Sequence, residues 1–318
     1  EILPKYRALK ARVHQMAQAV IETKPDVLIT IDSPDFCLRV AKLVKATSDI
    51  RTVHYVAPTV WAWRPKRAAK MAKFIDQVLA LFPFEPPLMQ AAGMRCDFVG
   101  HPVVTDVLAS AVEVAAWAGE GPLVLVLPGS RRGEVARLMD RFGAVAGRIA
   151  AEHPKARFVI PTTGNVTGLV QEMAAKWPVS VQVLPSDASG EKRGVFAAAD
   201  VALAASGTVS LELAANATPM VIAYDMAWVS RMIIKRMLLV DTVTLVNLVS
   251  ETRVVPEFIG KACVPEPIAA AVLDVLADPS RQHAAMALTM DRLGRGGQAP
   301  GARAARAVLQ ASAAARSE

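Results

Sequence analysis

Short apolar runs alternate with longer amphipathic stretches along most of this chain. Val27-Leu28-Ile29-Thr30-Ile31, Thr52-Val53-His54-Tyr55-Val56, Gln77-Val78-Leu79-Ala80-Leu81 and Phe98-Val99-Gly100 are the runs of the first part. Pro122-Leu123-Val124-Leu125-Val126-Leu127, Arg157-Phe158-Val159-Ile160, Val179-Ser180-Val181-Gln182-Val183, Asp200-Val201-Ala202-Leu203 and Met220-Val221-Ile222-Ala223 continue the series. Runs of this length predict strands buried within parallel sheets. Between them, apolar residues recur at helical spacing, as Leu9, Val13, Met16, Val20 and Ile21 do within 5–23. Strands alternating with helices predict an α/β fold wound right-handed. At 318 residues, two such domains are favoured over one. The pattern weakens across 106–121, so the domains are expected at 1–115 and 116–293. A Gly/Pro hinge over 294–301 then leads into an alanine-rich helix at 294–318.

Two junctions carry candidate chemistry. The run ending at Leu127 feeds Pro128-Gly129-Ser130-Arg131-Arg132-Gly133-Glu134, then a helical pattern through Val135, Leu138, Met139 and Phe142. The run ending at Leu203 feeds Ala204-Ala205-Ser206-Gly207-Thr208, then a helix over Val209–Ala215. Asn216 is expected to stop that helix in the left-handed region, with Pro219 close behind. A strand-to-helix turn gathers unpaired N–H groups and the positive end of a helix dipole, which suits a phosphate. Arg131 adds planar donors that match phosphate oxygens. Thr208 and Glu212 share a helix face, which would bring a carboxylate within reach of ribose hydroxyls. The plainer reading of each turn is a capped helix of an α/β domain. Two such turns in one half-chain suggest a pyrophosphate held between loops of one sheet.

Leu127-Pro128-Gly129-Ser130-Arg131 with Glu134, and Ala205-Ser206-Gly207-Thr208 with Glu212 and Pro219-Met220-Val221, resemble the lipid-A-disaccharide synthase family. So do Ile31-Asp32-Ser33-Pro34-Asp35-Phe36, Val60-Trp61-Ala62-Trp63-Arg64, Leu81-Phe82-Pro83-Phe84-Glu85 and Phe98-Val99-Gly100-His101-Pro102, all in the family's order. The resemblance implies a GT-B glycosyltransferase, with two Rossmann-like doubly wound domains facing a cleft. It implies inverting, metal-independent transfer from UDP-2,3-diacylglucosamine to 2,3-diacylglucosamine 1-phosphate. The products would be a β-1,6-linked lipid A disaccharide phosphate and UDP. Asp32 matches the family's candidate base; its plainer role is to cap the next helix, for which Asp35 is better placed. Gly129, Ser130, Arg131, Ser206, Gly207 and Thr208 would hold the diphosphate, and Glu212 the ribose. Asn247 falls in a block that ends near the nucleotide sugar, and the last helix would pack back on the first domain. The family opens with a strand and a Gly-Glu-x-Ser-Gly-Asp loop that nothing here matches. By that comparison the chain lacks the family's N-terminal segment, which would leave the first sheet an unpaired edge and an exposed apolar face. The same motifs would also serve a GT-B enzyme on another UDP-sugar, such as a peptidoglycan-type transferase or an epimerase, or an inactive nucleotide-sugar-binding fragment.

Composition narrows these choices. Three scattered cysteines, Cys37, Cys96 and Cys263, form no CxxC or Cys/His cluster, which argues against a disulfide framework and against zinc. There is no Asp-x-Asp triplet, so neither a metal nor another cofactor is expected. A formal charge of +7 favours anionic partners. Aromatics are too few for base stacking, which sets nucleic acid aside. No apolar run reaches the ~20 residues that span a bilayer. With the family resemblance, this places the chain in the cytoplasm of a Gram-negative bacterium, peripheral on the inner membrane; a homo-oligomer stays open. Trp61 and Trp63 beside Lys66, Arg67, Lys70 and Lys73 read either as a membrane-facing surface or as packed indoles beside a solvated face. The basic amphipathic segment 228–239 reads as an interfacial helix or a core-facing one.

Overall fold

A computed structural model of the chain describes residues 6–226 and 239–317, with side chains to residue 311. The chain divides into two compact units. The first holds the described residues up to Pro102, Leu239–Val240 and those from Gly296; the second holds Val103 to Met226 and Asp241–Arg295.

The first unit alternates α1 (Tyr6–Thr23), β1 (Val27–Ile31), α2 (Pro34–Thr47), β2 (Arg51–Tyr55), α3 (Lys66–Met71), β3 (Gln77–Ala80), α4 (Pro86–Gln90) and β4 (Arg95–Phe98). Its strands pair in parallel in the order β1-β2-β3-β4. Leu38, Ala41, Met71, Ile75, Val78 and Met89 form a core beneath α2, α3 and α4. β3 is buried throughout, as a central parallel strand should be. β1 is an edge, and Ile29 and Ile31 are 45% and 64% exposed there.

The second unit runs α5 (Ala111–Ala115), β5 (Leu123–Leu127), α6 (Arg132–Glu152), β6 (Arg157–Pro161), α7 (Thr167–Ala174), β7 (Val181–Leu184), α8 (Ser189–Ala198), β8 (Val201–Ala204), α9 (Val209–Ala215), β9 (Met220–Tyr224), α10 (Leu245–Ser250), β10 (Glu257–Ile259), α11 (Pro265–Ala277) and α12 (Ser280–Arg292). The sheet is parallel, in the order β10-β9-β8-β5-β6-β7. All five residues of β5 are buried, and Val135, Leu138, Met139, Phe142 and Ile149 of α6 pack in the same core. From β5 the chain winds outward through β6 and β7, then returns to β8 on the other flank of β5. The carboxyl ends of β5 and β8 are therefore a topological switch point, where open α/β sheets leave a crevice.

The division between units falls after Pro102 rather than at 115. Ser110 and Glu113 form a capping box that starts α5, and Glu113 is ion-paired with Arg193 of α8, so α5 is tied to the second unit. The stop of α9 is also displaced by one residue: Asn216 keeps φ −89° and Ala217 takes the left-handed φ of +56°. Thr218 N then donates to Leu213 O at 2.9 Å, closing the helix end in a Schellman-like bond. The final helix, α13 (Pro300–Ser317), is hydrogen-bonded to the starts of β2 and β3 and to the end of β4. Arg51 Nη1 donates to Val308 O at 2.9 Å, Gln77 Nε2 to Ala307 O at 3.2 Å and Arg303 Nη2 to Phe98 O at 2.8 Å. Except for Leu239, which is 60% exposed, the segment 228–239 lies outside the described residues.

Candidate active site

Leu127 and Ala204 are paired neighbours at the ends of β5 and β8, and Ala205 N donates to Leu127 O at 2.8 Å. The two Gly-Ser turns thus leave the sheet side by side. Between them opens a cavity of about 670 Å³, lined by Gly129, Ser130, Arg131, Ser206, Gly207, Thr208 and Glu212 among others. Seven of the residues singled out from the sequence meet in this one place.

The turn after β5 depends on Gly129. Its φ is +104°, and a Cβ there would sit 2.8 Å from Glu134 Oε2. Only glycine takes that conformation without strain and leaves room for the carboxylate. Asn165 Nδ2 holds the loop by donating to Ser130 O at 3.0 Å. Arg131 is the N-cap of α6, whose 21 residues end in the unpaired N–H groups of the first turn beside the cavity. Its guanidinium donates to Glu134 Oε1 at 2.8 Å while its side chain stays 80% exposed. Glu134, 13% exposed, also accepts from Tyr224 Oη at 3.3 Å. It therefore holds the arginine in place at the cavity mouth. The Glu134 contact raises the Arg131 pKa further.

On the other wall, the hydroxyls of Ser206 and Thr208, like that of Ser130, make no hydrogen bond within the described residues. Ser210 Oγ donates to Gly207 O at 2.9 Å and fixes the start of α9. Glu212, one turn beyond Thr208, reaches solvent in the cavity wall. Partial desolvation there, and next the charge of Asp106, raise its pKa.

Several cavity residues escape a reading of the sequence. Lys192 and Arg193, early in α8, both line it. Lys192 Nζ donates to Thr162 O and, at 3.4 Å, to Ser186 O, so it bridges two strand-end loops. Two cations near a helix N-terminus oppose the dipole, and that anomaly is the signal that could have drawn attention to them. Pro161, Thr162 and Thr163, at the end of β6, line the cavity as well.

Asn247 is not brought to this cavity. It is 1% exposed, its Nδ2 donates to Val255 O at 2.9 Å and its Oδ1 accepts from Val255 N at 3.0 Å. The amide is fully used in stapling α10 to the segment before β10, so a side-chain contact with a nucleotide is replaced by a structural role.

Asp32 belongs to the first unit, at the carboxyl end of β1. Its N–H donates to Tyr55 O at 3.0 Å, while its carboxylate is exposed and makes no hydrogen bond within the described residues. Asp32 and Ser33 both take left-handed φ values, +48° and +44°. Strain of that kind is sustained by the surrounding structure and gathers at functional sites. Asp32 caps nothing: Ser33 is the N-cap of α2, without a side-chain cap, and Asp35 pairs with Arg67. Beside it, His54 is fully buried, with Nδ1 2.8 Å from Thr30 Oγ1 and Nε2 without a partner. Burial, against a smaller opposing pull from Asp32, lowers the His54 pKa to about 4, so the imidazole is neutral at neutral pH. His101 packs on Phe82 at 5.7 Å between centroids. Trp61 donates to Glu85 at 3.3 Å and Trp63 to Thr59 Oγ1 at 2.9 Å, so both indoles are packed, Trp63 with 36% left exposed.

Two parallel α/β sheets, one with paired strand-to-helix turns at its switch point, define a fold of the GT-B class. Solved structures agree on the fold. A UDP-GlcNAc 2-epimerase from Neisseria meningitidis bound to UDP-GlcNAc has TM-score 0.65 at 13% identity, covering 95% of this chain and 81% of that one. The MnaA–UDP structure from S. aureus has TM-score 0.63 at 13% identity, covering 93% and 79%. The lipid-A-disaccharide synthetase family model matches residues 1–310. The lipid-A-disaccharide synthase of Ruegeria pomeroyi is 61% identical over 97% of this chain and 80% of its own length. That of Rhodospirillum centenum is 44% identical over 97% and 79%. The chain belongs to the lipid-A-disaccharide synthase family.

Proposed function

We propose that this chain transfers 2,3-diacylglucosamine from UDP to the 6-hydroxyl of 2,3-diacylglucosamine 1-phosphate, with inversion, at the surface of the inner membrane. The observation that carries the reading is the pairing of the two Gly-Ser turns on adjacent strands. It supplies one place where a diphosphate meets Arg131, the α6 N-terminus and the hydroxyls of Ser130, Ser206 and Thr208. Glu212 is one turn from that place and would accept from ribose hydroxyls.

Inversion needs a single displacement. A base takes the acceptor hydroxyl proton as the oxygen attacks the anomeric carbon, and UDP departs. Asp32 is assigned that role: its carboxylate is open, uncommitted and held on strained backbone. Negative charge grows on the leaving diphosphate, and donors already oriented towards it stabilise the transition state. Arg131, kept in place by Glu134, is the strongest of them. Lys192 and Arg193 add positive charge to the same cavity.

An acceptor-dependence experiment tests this. Donor alone should release little UDP, and adding the monosaccharide 1-phosphate should release UDP in step with disaccharide formed. UDP release that ignores the acceptor would mean hydrolysis of the donor, and a donor altered at a sugar carbon with UDP still attached would point to the epimerase-like alternative, which needs no second sugar.

A further inference from the structure

Of the cations that line the cavity of the second unit, Arg131 pairs with Glu134 and Arg193 with Glu113. Lys192 has no carboxylate within ion-pairing distance among the described residues; its bonds go to neutral carbonyls. The strands there stand in the order β8-β5-β6-β7, and the two Gly-Ser turns follow β8 and β5. Thr162 follows β6, and Ser186 lies two residues beyond β7. Lys192 Nζ donates to the backbone carbonyls of both, so its ammonium is pinned over the ends of β6 and β7. Parallel strands are spaced by about 4.8 Å, which puts it roughly 10 Å along the edge from the gap between the two turns. That is the length a ribose interposes between a 5′-diphosphate and its base. Phe196, four residues on and so on the same side of α8, lines the cavity too and offers a ring for a base to lie against.

An ammonium has three N–H donors and no acceptor. Thr162 O and Ser186 O take two of the three, and one is left. Each of those carbonyl oxygens has a second lone pair, so a donor and acceptors stand side by side. Uracil presents an O4 acceptor next to its N3–H donor. Cytosine reverses both, with an N4 amino donor next to a bare N3. Against cytosine the remaining N–H of Lys192 would meet another donor and stay unpaired, and a charged group left without its partner is costly.

We propose that Lys192 reads the base of the bound nucleotide and selects uracil over cytosine through its remaining N–H. The assignment rests on the UDP-sugar reading above and adds to it the residue that chooses the nucleoside. Two strand spacings separate Lys192 from the diphosphate, so its effect falls on nucleotide affinity and not on the chemical step. The carbonyls of Thr162 and Ser186 hold the ammonium in place before the base arrives, which spares the lysine part of the ordering cost on binding.

The test is titration calorimetry of the full chain with UDP, CDP and inorganic pyrophosphate, on the parent, Lys192→Met and Lys192→Arg. The parent should prefer UDP to CDP by about ten- to a hundredfold, the range of one charge-assisted hydrogen bond. Lys192→Met should bring UDP down to the CDP level and leave pyrophosphate affinity unchanged. Lys192→Arg keeps a donor and should retain part of the preference. If Lys192 only staples the two loops, Lys192→Met would melt earlier and bind both nucleotides more weakly, with the ratio between them preserved, and that ratio would overturn the proposal. An equal loss for UDP, CDP and pyrophosphate would overturn it in favour of a diphosphate contact. A parent that binds UDP and CDP alike would overturn this proposal alone. A parent that binds neither nucleotide would overturn the UDP-sugar reading and this proposal with it. Absence of disaccharide from a parent that still prefers UDP would count against the transferase reading and leave the base assignment standing.

Discussion

Replacing Arg131 by alanine isolates the strongest contact assigned to the diphosphate. The side chain is 80% exposed and its one ion pair, with Glu134 at 2.8 Å, spans three residues of helix start. Ion pairs with a solvent-exposed partner typically contribute at most ~1 kcal/mol, so the fold should change little. Binding should notice it. A charge-assisted hydrogen bond is worth roughly 1.5–3 kcal/mol, or about one to two decades in affinity. Glu134 moves the expectation to the upper end. With the guanidinium gone, its carboxylate, 13% exposed, faces the incoming diphosphate unneutralised. Arg131→Ala with Glu134→Gln should therefore bind UDP better than Arg131→Ala alone, although Glu134 itself touches no phosphate in this account. Arg131→Lys keeps the charge but loses the planar fork and should fall between. Titration calorimetry with UDP on the four proteins, each checked by melting temperature, reads all of this. Parent-like UDP affinity in Arg131→Ala would remove the residue from the site, and a double variant weaker than the single one would refute the role given to Glu134.

Gly129→Ala should lose ~1–2 kcal/mol of stability and weaken UDP binding, because it meets both a left-handed φ of +104° and Glu134 Oε2 at 2.8 Å. Gly207→Ala, with nothing within 4 Å of the added carbon, should be the milder of the two by denaturant melts. Asp32→Asn should leave UDP affinity intact and lower turnover by about 10²–10⁴, the range for a positioned base. If single-turnover rates stay at the parent level, Asp32 is not that base. Glu85, 1% exposed, has its carboxyl pKa raised by burial from 4.5 to about 7. The folded state then holds the proton more tightly, so this stability is present below about pH 4.5 and is lost as pH climbs to about 7, of order 3 kcal/mol. Glu85→Gln should flatten the melting-temperature profile between those limits, and an unchanged slope would assign the pH dependence elsewhere.

The strands of both sheets were legible because parallel strands buried on both faces write themselves as unbroken apolar runs, as Leu123–Leu127 does. The edge strand Glu257–Ile259 has three residues, each half-buried, and leaves no such run. The end of α9 was legible to within a residue. Asn216 has the better left-handed propensity, yet Ala217 bears the strain because the Thr218 bond to Leu213 closes the turn there. The paired Gly-Ser turns were readable from local chemistry, since the turn and the site are the same few residues. Their adjacency was not, because it depends on the strand order that sets β8 beside β5. For the same reason Lys192 and Arg193, distant in sequence and placed by packing of α8, stayed hidden, and Asn247 passed for a ligand when its amide serves Val255.

The reaction itself is open to one decisive determination. Given UDP-2,3-diacylglucosamine and 2,3-diacylglucosamine 1-phosphate, the enzyme should yield one UDP per disaccharide, and the anomeric coupling in the product's proton NMR spectrum should report a β linkage to the 6-position. Asp32→Asn and Arg131→Ala should suppress both products together. An α-linked product, or a donor converted at its sugar carbon with no disaccharide formed, would contradict the single inverting displacement on which the account depends.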